Sequence, residues 1–308
     1  MSLARKLQLF VLLGLFLFLS ITNAQTLEKF TTDLVWNIYQ GPLELSGICH
    51  IATNEYACVS DSGGKVYSFF LDDKNLSSEF MPTKESFRLI RQGVGHDLEA
   101  CFYVDDAILC IDEATSSVKR FKYGSDSPVA TIQLPIKNIV SNCGLESLAY
   151  SQKDKVFITC TEQPVKGAES RIIKMLLFKI DAETNQCIKE HEFQYQIDQF
   201  DGKKVYRNGI SELVVWDDET LLVIERAVDL EGPIPFSRIC IYAVDWAAIR
   251  ATPSNQSVAK RLVYESASKF FPMNIEGACR IPGTNKLLIL HDLPSICFMG
   301  TLEGITSK

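Results

Sequence analysis

The feature that most constrains this chain is a repeat. Five times, a short apolar strand opening on a polar or acidic residue is followed by a turn and a second apolar strand closing on an acid. The first copy runs Leu45-Ser-Gly-Ile-Cys-His-Ile, then Tyr56-Ala-Cys-Val-Ser-Asp61. The second runs from His96-Asp97-Leu-Glu99 to Asp112-Glu113, and the third from Asn142-Cys-Gly-Leu-Glu146 to Glu162. The fourth runs from Asn208-Gly-Ile-Ser-Glu212 to Glu225-Arg226, and the fifth from Asn274-Ile-Glu276 to His291-Asp292. Between copies lie further β-branched and aromatic segments, among them Lys65–Leu71, Val118–Tyr123, Ile172–Ile180 and Ile239–Val244. Each unit is therefore four strands, at a period of roughly 47 to 66 residues counted on Ser46, Glu99, Glu146, Glu212 and Glu276. Four antiparallel strands at such a period predict an all-β fold, a β-propeller. The count is five blades, with six open if the long third or fourth unit hides another. A β-sandwich with long loops is the competing reading, and regularly spaced hairpins fit it poorly. The last copy has room for three strands only. The strand-like Leu34–Tyr39, ahead of the first copy, supplies the missing outer strand and closes the ring, removing the exposed edges of a linear array.

Ahead of the repeat, Arg5 and Lys6 precede an apolar run from Leu9 to Leu19 and the short stretch Ser20-Ile-Thr-Asn-Ala24. This pattern predicts a signal peptide over residues 1–24, with a signal anchor as the alternative, and a single propeller domain over 25–308. The run is shorter than the ~20 apolar residues that cross a bilayer, and no second stretch approaches that length, so no membrane span is expected after cleavage. Localisation is then extracellular or in the lumen of the secretory pathway. The formal net charge is −7, and losing Arg5 and Lys6 makes it more negative. Acidity of this degree disfavours nucleic acid or an anionic membrane surface as the partner and suits cations. Asn75-Leu-Ser77 and Asn255-Gln-Ser257 are glycosylation sequons expected on surface loops.

Ten cysteines behind such a leader read as disulfides. Two-residue turns at Asp105-Asp106 and Thr53-Asn54 would set Cys101 opposite Cys110 and Cys49 opposite Cys58, within disulfide reach across antiparallel strands. Cys143 and Cys160 are a diagonal candidate across a third hairpin. No CxxC spacing suggests a zinc ribbon.

In a propeller the first strand of each blade lines the central channel. Its start and the end of the second strand lie at the same end of the hairpin. The repeat thus gathers Glu99, Glu146, Glu212 and Glu276 at one rim, with Asp61, Asp112, Glu113, Glu162, Glu225 and Asp292 near them. Asp97, Asn142, Asn208 and Asn274 add further oxygens. Converging carboxylates either gain protons or hold a cation. An all-oxygen set suits Ca2+, with Mg2+ second. The plainer alternative is that these acids cap strand ends. Arg226 could balance their charge or hold a phosphate or carboxylate, and His291 beside Asp292 could serve in acid–base chemistry. No GxSxG, HExxH or GxxxxGK[ST] motif occurs, which argues against an α/β-hydrolase, a zincin or a P-loop enzyme.

Leu45-Ser-Gly-Ile with Ser60-Asp61-Ser-Gly-Gly-Lys-Val-Tyr, then Asp97-Leu-Glu99-Ala, Gly144-Leu-Glu146-Ser-Leu-Ala and Asn274-Ile-Glu276-Gly-Ala, resemble two related propeller groups. One is the phytase-like family, also called esterase-like activity of phytase; the other is the SdiA-regulated family. The phytase-like resemblance implies calcium-assisted hydrolysis of a small phosphate ester. It implies rim acids Asp61, Glu99, Glu146, Glu162, Glu225, Glu276 and Asp292 as metal ligands, and Glu212, Arg226 and His291 in catalysis, with Arg226 on the phosphate. Ser46 stands where other copies have glutamate, and Arg226 is the one obvious rim cation. A non-catalytic binding propeller and a lactonase-like esterase are the alternatives.

Overall fold

The computed structural model describes residues 35–39, 44–61, 63–71, 87–91, 96–123, 125–199, 207–229, 236–268, 274–293 and 296–303. The leader at 1–24, the start of the domain at 25 and the sequon at Asn75 lie outside them. Asn255 lies exposed in a turn. Among the described residues no helix is long and apolar enough to cross a membrane.

The described strands form five sheets of four antiparallel strands. Blade 1 is β2 (Leu45–Ala52), β3 (Glu55–Ser60), β4 (Lys65–Phe70) and β5 (Arg88–Arg91). Blade 2 is β6 (Leu98–Val104), β7 (Ala107–Asp112), β8 (Ser117–Lys122) and β9 (Ala130–Gln133). Blade 3 is β10 (Ala149–Ser151), β11 (Val156–Cys160), β12 (Ile172–Ile180) and β13 (Cys187–Gln196). Blade 4 is β14 (Arg207–Val215), β15 (Thr220–Asp229), β16 (Phe236–Asp245) and β17 (Arg261–Ser268), with the short helix α1 (Trp246–Ala251) after β16. Blade 5 is β18 (Ile275–Arg280), β19 (Lys286–Leu293), β20 (Ile296–Glu303) and, outermost, β1 (Val35–Tyr39). The expected closure is present: β1 pairs antiparallel with β20, Val35 opposite Thr301 and Tyr39 opposite Cys297.

Side chains alternate across each strand, so each blade presents an apolar face to both neighbours. On β15, Leu221 and Val223 pack with blade 3 while Leu222 and Ile224 pack with blade 5. Apolar clusters accordingly fill all five gaps between blades. The turn at Asp105-Asp106 forms as expected, both residues being left-handed (φ 50° and 56°), as a tight primed hairpin turn requires. It sets Cys101 opposite Cys110.

The matching expectation for Cys49 and Cys58 is corrected. The pairing of β2 with β3 shifts by one residue between His50 and Ala52, so Cys49 faces Ala57 and Cys58 faces Ile48. A one-residue slip turns a side chain to the other face of the sheet. Cys49 and Cys58 accordingly pack in different gaps, toward blades 2 and 5. The nine described cysteines are thiols in this structure. Cys160 Sγ lies 3.6 Å from Ser147 Oγ, while Cys143 is directed at Glu162.

Candidate functional site

Every blade carries a one-residue bulge at the same point of its inner strand. Leu45 pairs with Ser60 but Ile48 with Cys58; Leu98 with Asp112 but Ala100 with Ile111. Leu145 bridges Thr161, while Ala149 pairs with Ile158. Ile210 pairs with Glu225 but Glu212 with Ile224, and Ile275 with His291 but Gly277 with Leu290. A bulge bends the strand and re-aims its side chains. Superposing the blades on these pairs makes Ser46, Glu99, Glu146, Ser211 and Glu276 equivalent. Asp61, Glu113, Glu162, Arg226 and Asp292 are equivalent on the neighbouring strand.

This register moves two residues. Glu212 matches Gly47, Ala100, Ser147 and Gly277, one place beyond the rim glutamates. Glu225 matches Ser60, Asp112, Thr161 and His291, and so points to the opposite face from Arg226.

At one mouth of the channel Asp61, Asp97, Glu99, Glu113, Glu146 and Glu276, with Ser46, Asn142 and Arg207, line a polar cavity of about 110 Å3. Asp97, Glu99 and Glu113 each bring an oxygen within 4.8 Å of the others. Glu113 Oε1 accepts the Gly144 N–H at 2.5 Å and shares a hydrogen bond with Asp97. Burial pushes Glu99 well above the usual carboxylate range, and the charges of Glu276, Asp61, Asp97 and Glu113 push it further. Burial, then Glu99 and Glu162, do the same to Glu146. Among the described residues no lysine or arginine pairs with Asp97, Glu99 or Glu113. Oxygen donors only, crowded and unneutralised, fit a hard cation.

The other side of the mouth is neutralised from within. Arg226, 1% exposed, places Nη2 3.1 Å from Glu162 Oε1 and Nη1 against Glu276 and, at 2.9 Å, Asn274 Oδ1. Burial disfavours its charge, but Glu276, Glu162 and Glu146 outweigh burial and hold it protonated. Arg207 Nη1 stands 3.9 Å from Glu162 Oε2 with its side chain 27% exposed. It is a second rim cation that sequence reading missed. Its signal was one residue away, because Arg207 matches Asn142 in register, whereas the repeat had pointed to Asn208. Asp112, expected near the rim, shares the register of Glu225 and turns away from the mouth cavity, where its Oδ2 meets His96 Nδ1 at 2.9 Å and Lys119 Nζ at 3.5 Å.

The remaining candidates lie elsewhere. Glu212 sits inside the channel, its Oε1 accepting the Leu213 N–H at 2.8 Å and its carboxylate facing the amides of Ala278 and Leu148 on the adjoining blades. Burial raises it well above the usual range despite those donors. Glu225 belongs to a separate network, accepting Tyr195 Oη at 2.7 Å and the Asp198 N–H at 2.9 Å and pairing with Lys260 at 2.5 Å. His291 is fully buried. Its Nδ1 accepts the Asn274 N–H at 2.5 Å, and burial pushes its pKa down to about 3, so the ring is neutral. Asp292 holds the rim register position on β19, and its side chain lies outside the described residues. Of the expected ligands the fold therefore gathers Asp61, Glu99, Glu146 and Glu276, backs them with Glu162, and turns Glu225 away.

Residues 43–292 match the phytase-like family, described as esterase-like activity of phytase. The chain belongs to that family. No curated protein sequence matches this phytase-like chain. Among solved structures it is similar to the glutaminyl cyclase of Myxococcus xanthus, at 10% identity over 88% of this chain and 97% of that one, TM-score 0.44. It is also similar to the PQQ-bound aldose sugar dehydrogenase of Streptomyces coelicolor, at 9% identity over 89% and 98%, TM-score 0.45. A streptogramin B lyase matches at 7% identity over 90% and 100%, TM-score 0.42. At such identities those activities remain the neighbours' own.

Proposed function

We propose that this phytase-like propeller is a secreted protein that binds a divalent cation at its acidic channel mouth, Ca2+ first and Mg2+ second. In this reading the ion, with Arg207, takes a small phosphate ester or another anionic ligand. One observation carries it: Asp97, Glu99 and Glu113 converge to within 4.8 Å with no basic partner among the described residues. Without a cation these groups repel one another, and Glu99, the most buried of the three, is pushed well above the usual carboxylate range. With one, Asp61, Asp97, Glu99, Glu113 and Glu146 would be the donors. Titration calorimetry of the mature chain with CaCl2 tests this. Binding that weakens at least about tenfold in Glu99→Gln supports it, and no heat with no thermal shift overturns it.

Metal-assisted hydrolysis of a phosphate ester is the second reading, favoured by Arg207 lining the same small cavity as the acids. A bound ion supplies polarisation of a phosphoryl oxygen and a more acidic water. The chain's own part is to hold the ion among the mouth acids and to place the ester against Arg207. In this reading Glu212, Arg226 and His291 serve as supports, each held in contacts within the protein. Phosphate release from phytate and an aryl phosphate, in calcium and then in excess chelator, decides the matter. Chelator-sensitive release lost in Arg207→Ala supports hydrolysis, and calcium binding without release leaves a binding propeller.

A further inference from the structure

Blades 1 and 2 approach closely where Gly47 of β2 meets Ala100 of β6. A Cβ on Gly47 would stand 2.5 Å from Ala100 Cα and 2.8 Å from the Cys101 nitrogen, so only glycine lets the two backbones touch there. Two residues along β2, Cys49 meets Cys101 with 3.5 Å between their sulfurs. Both thiols are 3% exposed and pack in the apolar gap between the two blades, beside Cys110, Ala57 and Val59. They also lie along a cavity of about 510 Å3 that Glu212 lines too and that shares no residue with the acidic mouth.

We propose that Cys49 and Cys101 form a disulfide that joins blade 1 to blade 2. The inference is independent of the acidic mouth. It differs from the hairpin pairings that spacing suggests, because the Cys101 thiol is directed at a sulfur of the neighbouring blade. The bond lies between inner strands and fastens the ring where the blades have no shared backbone ladder. It also closes a long loop, since 52 positions separate the two cysteines, and long loops gain most from a crosslink.

With glutathione disulfide as oxidant the atoms balance. The Cys101 thiolate attacks one glutathione sulfur, breaks the glutathione S–S bond and releases one glutathione thiolate. The Cys49 thiolate then attacks the Cys101 sulfur of the mixed disulfide, forms the Cys49–Cys101 bond and releases the second glutathione. The two thiol protons end on the two glutathiones, the protein losing two electrons and glutathione disulfide gaining them. Burial raises the Cys101 thiol well above its ordinary value, so in the folded protein the thiolate is scarce. The bond therefore forms as the blades dock, before the sulfurs are covered.

The test is a peptide map. The full chain is refolded in a glutathione redox buffer, its thiols are capped with a maleimide in denaturant, and it is digested without reduction. Cleavage after Glu55 and before Asp105 separates Cys49 from Cys58 and Cys101 from Cys110. The expected product is one linked pair carrying Cys49 and Cys101, abolished by reductant. Cys110→Ser is expected to retain that pair. Cys101→Ser is expected to leave Cys49 open to maleimide and to lower the melting temperature by about 5–10 °C. Capping of both Cys49 and Cys101 in the refolded wild type, or a link from either to Cys58 or Cys110, overturns the proposal. The wild-type map stands whether or not the variants fold.

Discussion

Arg226 Nη2 lies 3.1 Å from Glu162 Oε1, a contact from blade 4 to blade 3 with neither side chain more than 1% exposed. The same guanidinium meets Glu276 of blade 5, so one cation holds three blades together under the mouth. Arg226→Met removes that cation, leaving Glu162 only the longer contact to Arg207 and taking from Glu276 its guanidinium partner. The expected cost is about 3–5 kcal/mol of unfolding free energy, measured by urea denaturation. Were Arg226 a ligand contact instead, stability would hold and only binding would fall.

Glu212 is expected to behave as a structural residue. Its carboxylate receives amides from three inner strands. Glu212→Ala leaves those donors without a partner, at about 1–3 kcal/mol for each buried group that water cannot reach. The check is the pair of measurements together: a lower melting temperature with calcium affinity unchanged.

Glu99→Gln is expected to separate stability from binding in the other direction. Glu99 holds its proton more tightly in the folded protein than in the unfolded chain, because burial and four neighbouring acids raise it. The amide removes that repulsion. Without calcium the variant should melt at or above the wild type, while its calcium affinity falls by at least about tenfold, or ~1.4 kcal/mol.

Stability should respond to pH through two opposed groups. Glu99 and Glu146 have raised folded values, so between the ordinary carboxylate value of 4.5 and those raised values the folded state binds more protons. Calcium-free stability then falls as pH rises through that window, and calcium, which needs the ionised carboxylates, offsets the fall. His291 acts with the other sign. Its folded value is pushed down to about 3 from an ordinary 6.5, so the unfolded chain binds the extra proton, and stability is lost as pH falls from 6.5 toward 3. Urea melts across about pH 4 to 7 should show the acid-side loss flatten in His291→Gln and the alkaline-side loss flatten in calcium.

Repeat and strand period were enough to read the blade count, the closing strand and the clustering of Glu99, Glu146 and Glu276. They were not enough to place Glu212 or Glu225. Spacing treats Ser211-Glu212 and Glu225-Arg226 as interchangeable neighbours, but a single bulged residue decides which member faces the mouth, and bulges leave no fixed letter in the sequence. The same limit applies to Cys49. Its hairpin spacing equals that of Cys101 and Cys110, yet one shifted pair in β2 turns it from Cys58 toward another blade. Arg226 was legible as a cation near acids. That it is consumed by them follows only from the closed ring, which brings Glu162 of blade 3 and Glu276 of blade 5 onto one guanidinium.

The pairing of β1 with β20 also sets an order of events. Val35–Tyr39 precedes every other described strand, and Ile296–Glu303 follows them all. Every other blade can zip from neighbours in sequence as they emerge. Blade 5 cannot finish until the strands of the other four sheets have been made, because its outermost strand precedes them and its partner follows them. Such a long-range final step is slow and leaves a β-edge open to foreign strands meanwhile. Ring closure is thus the stage at which this protein would depend most on a chaperone.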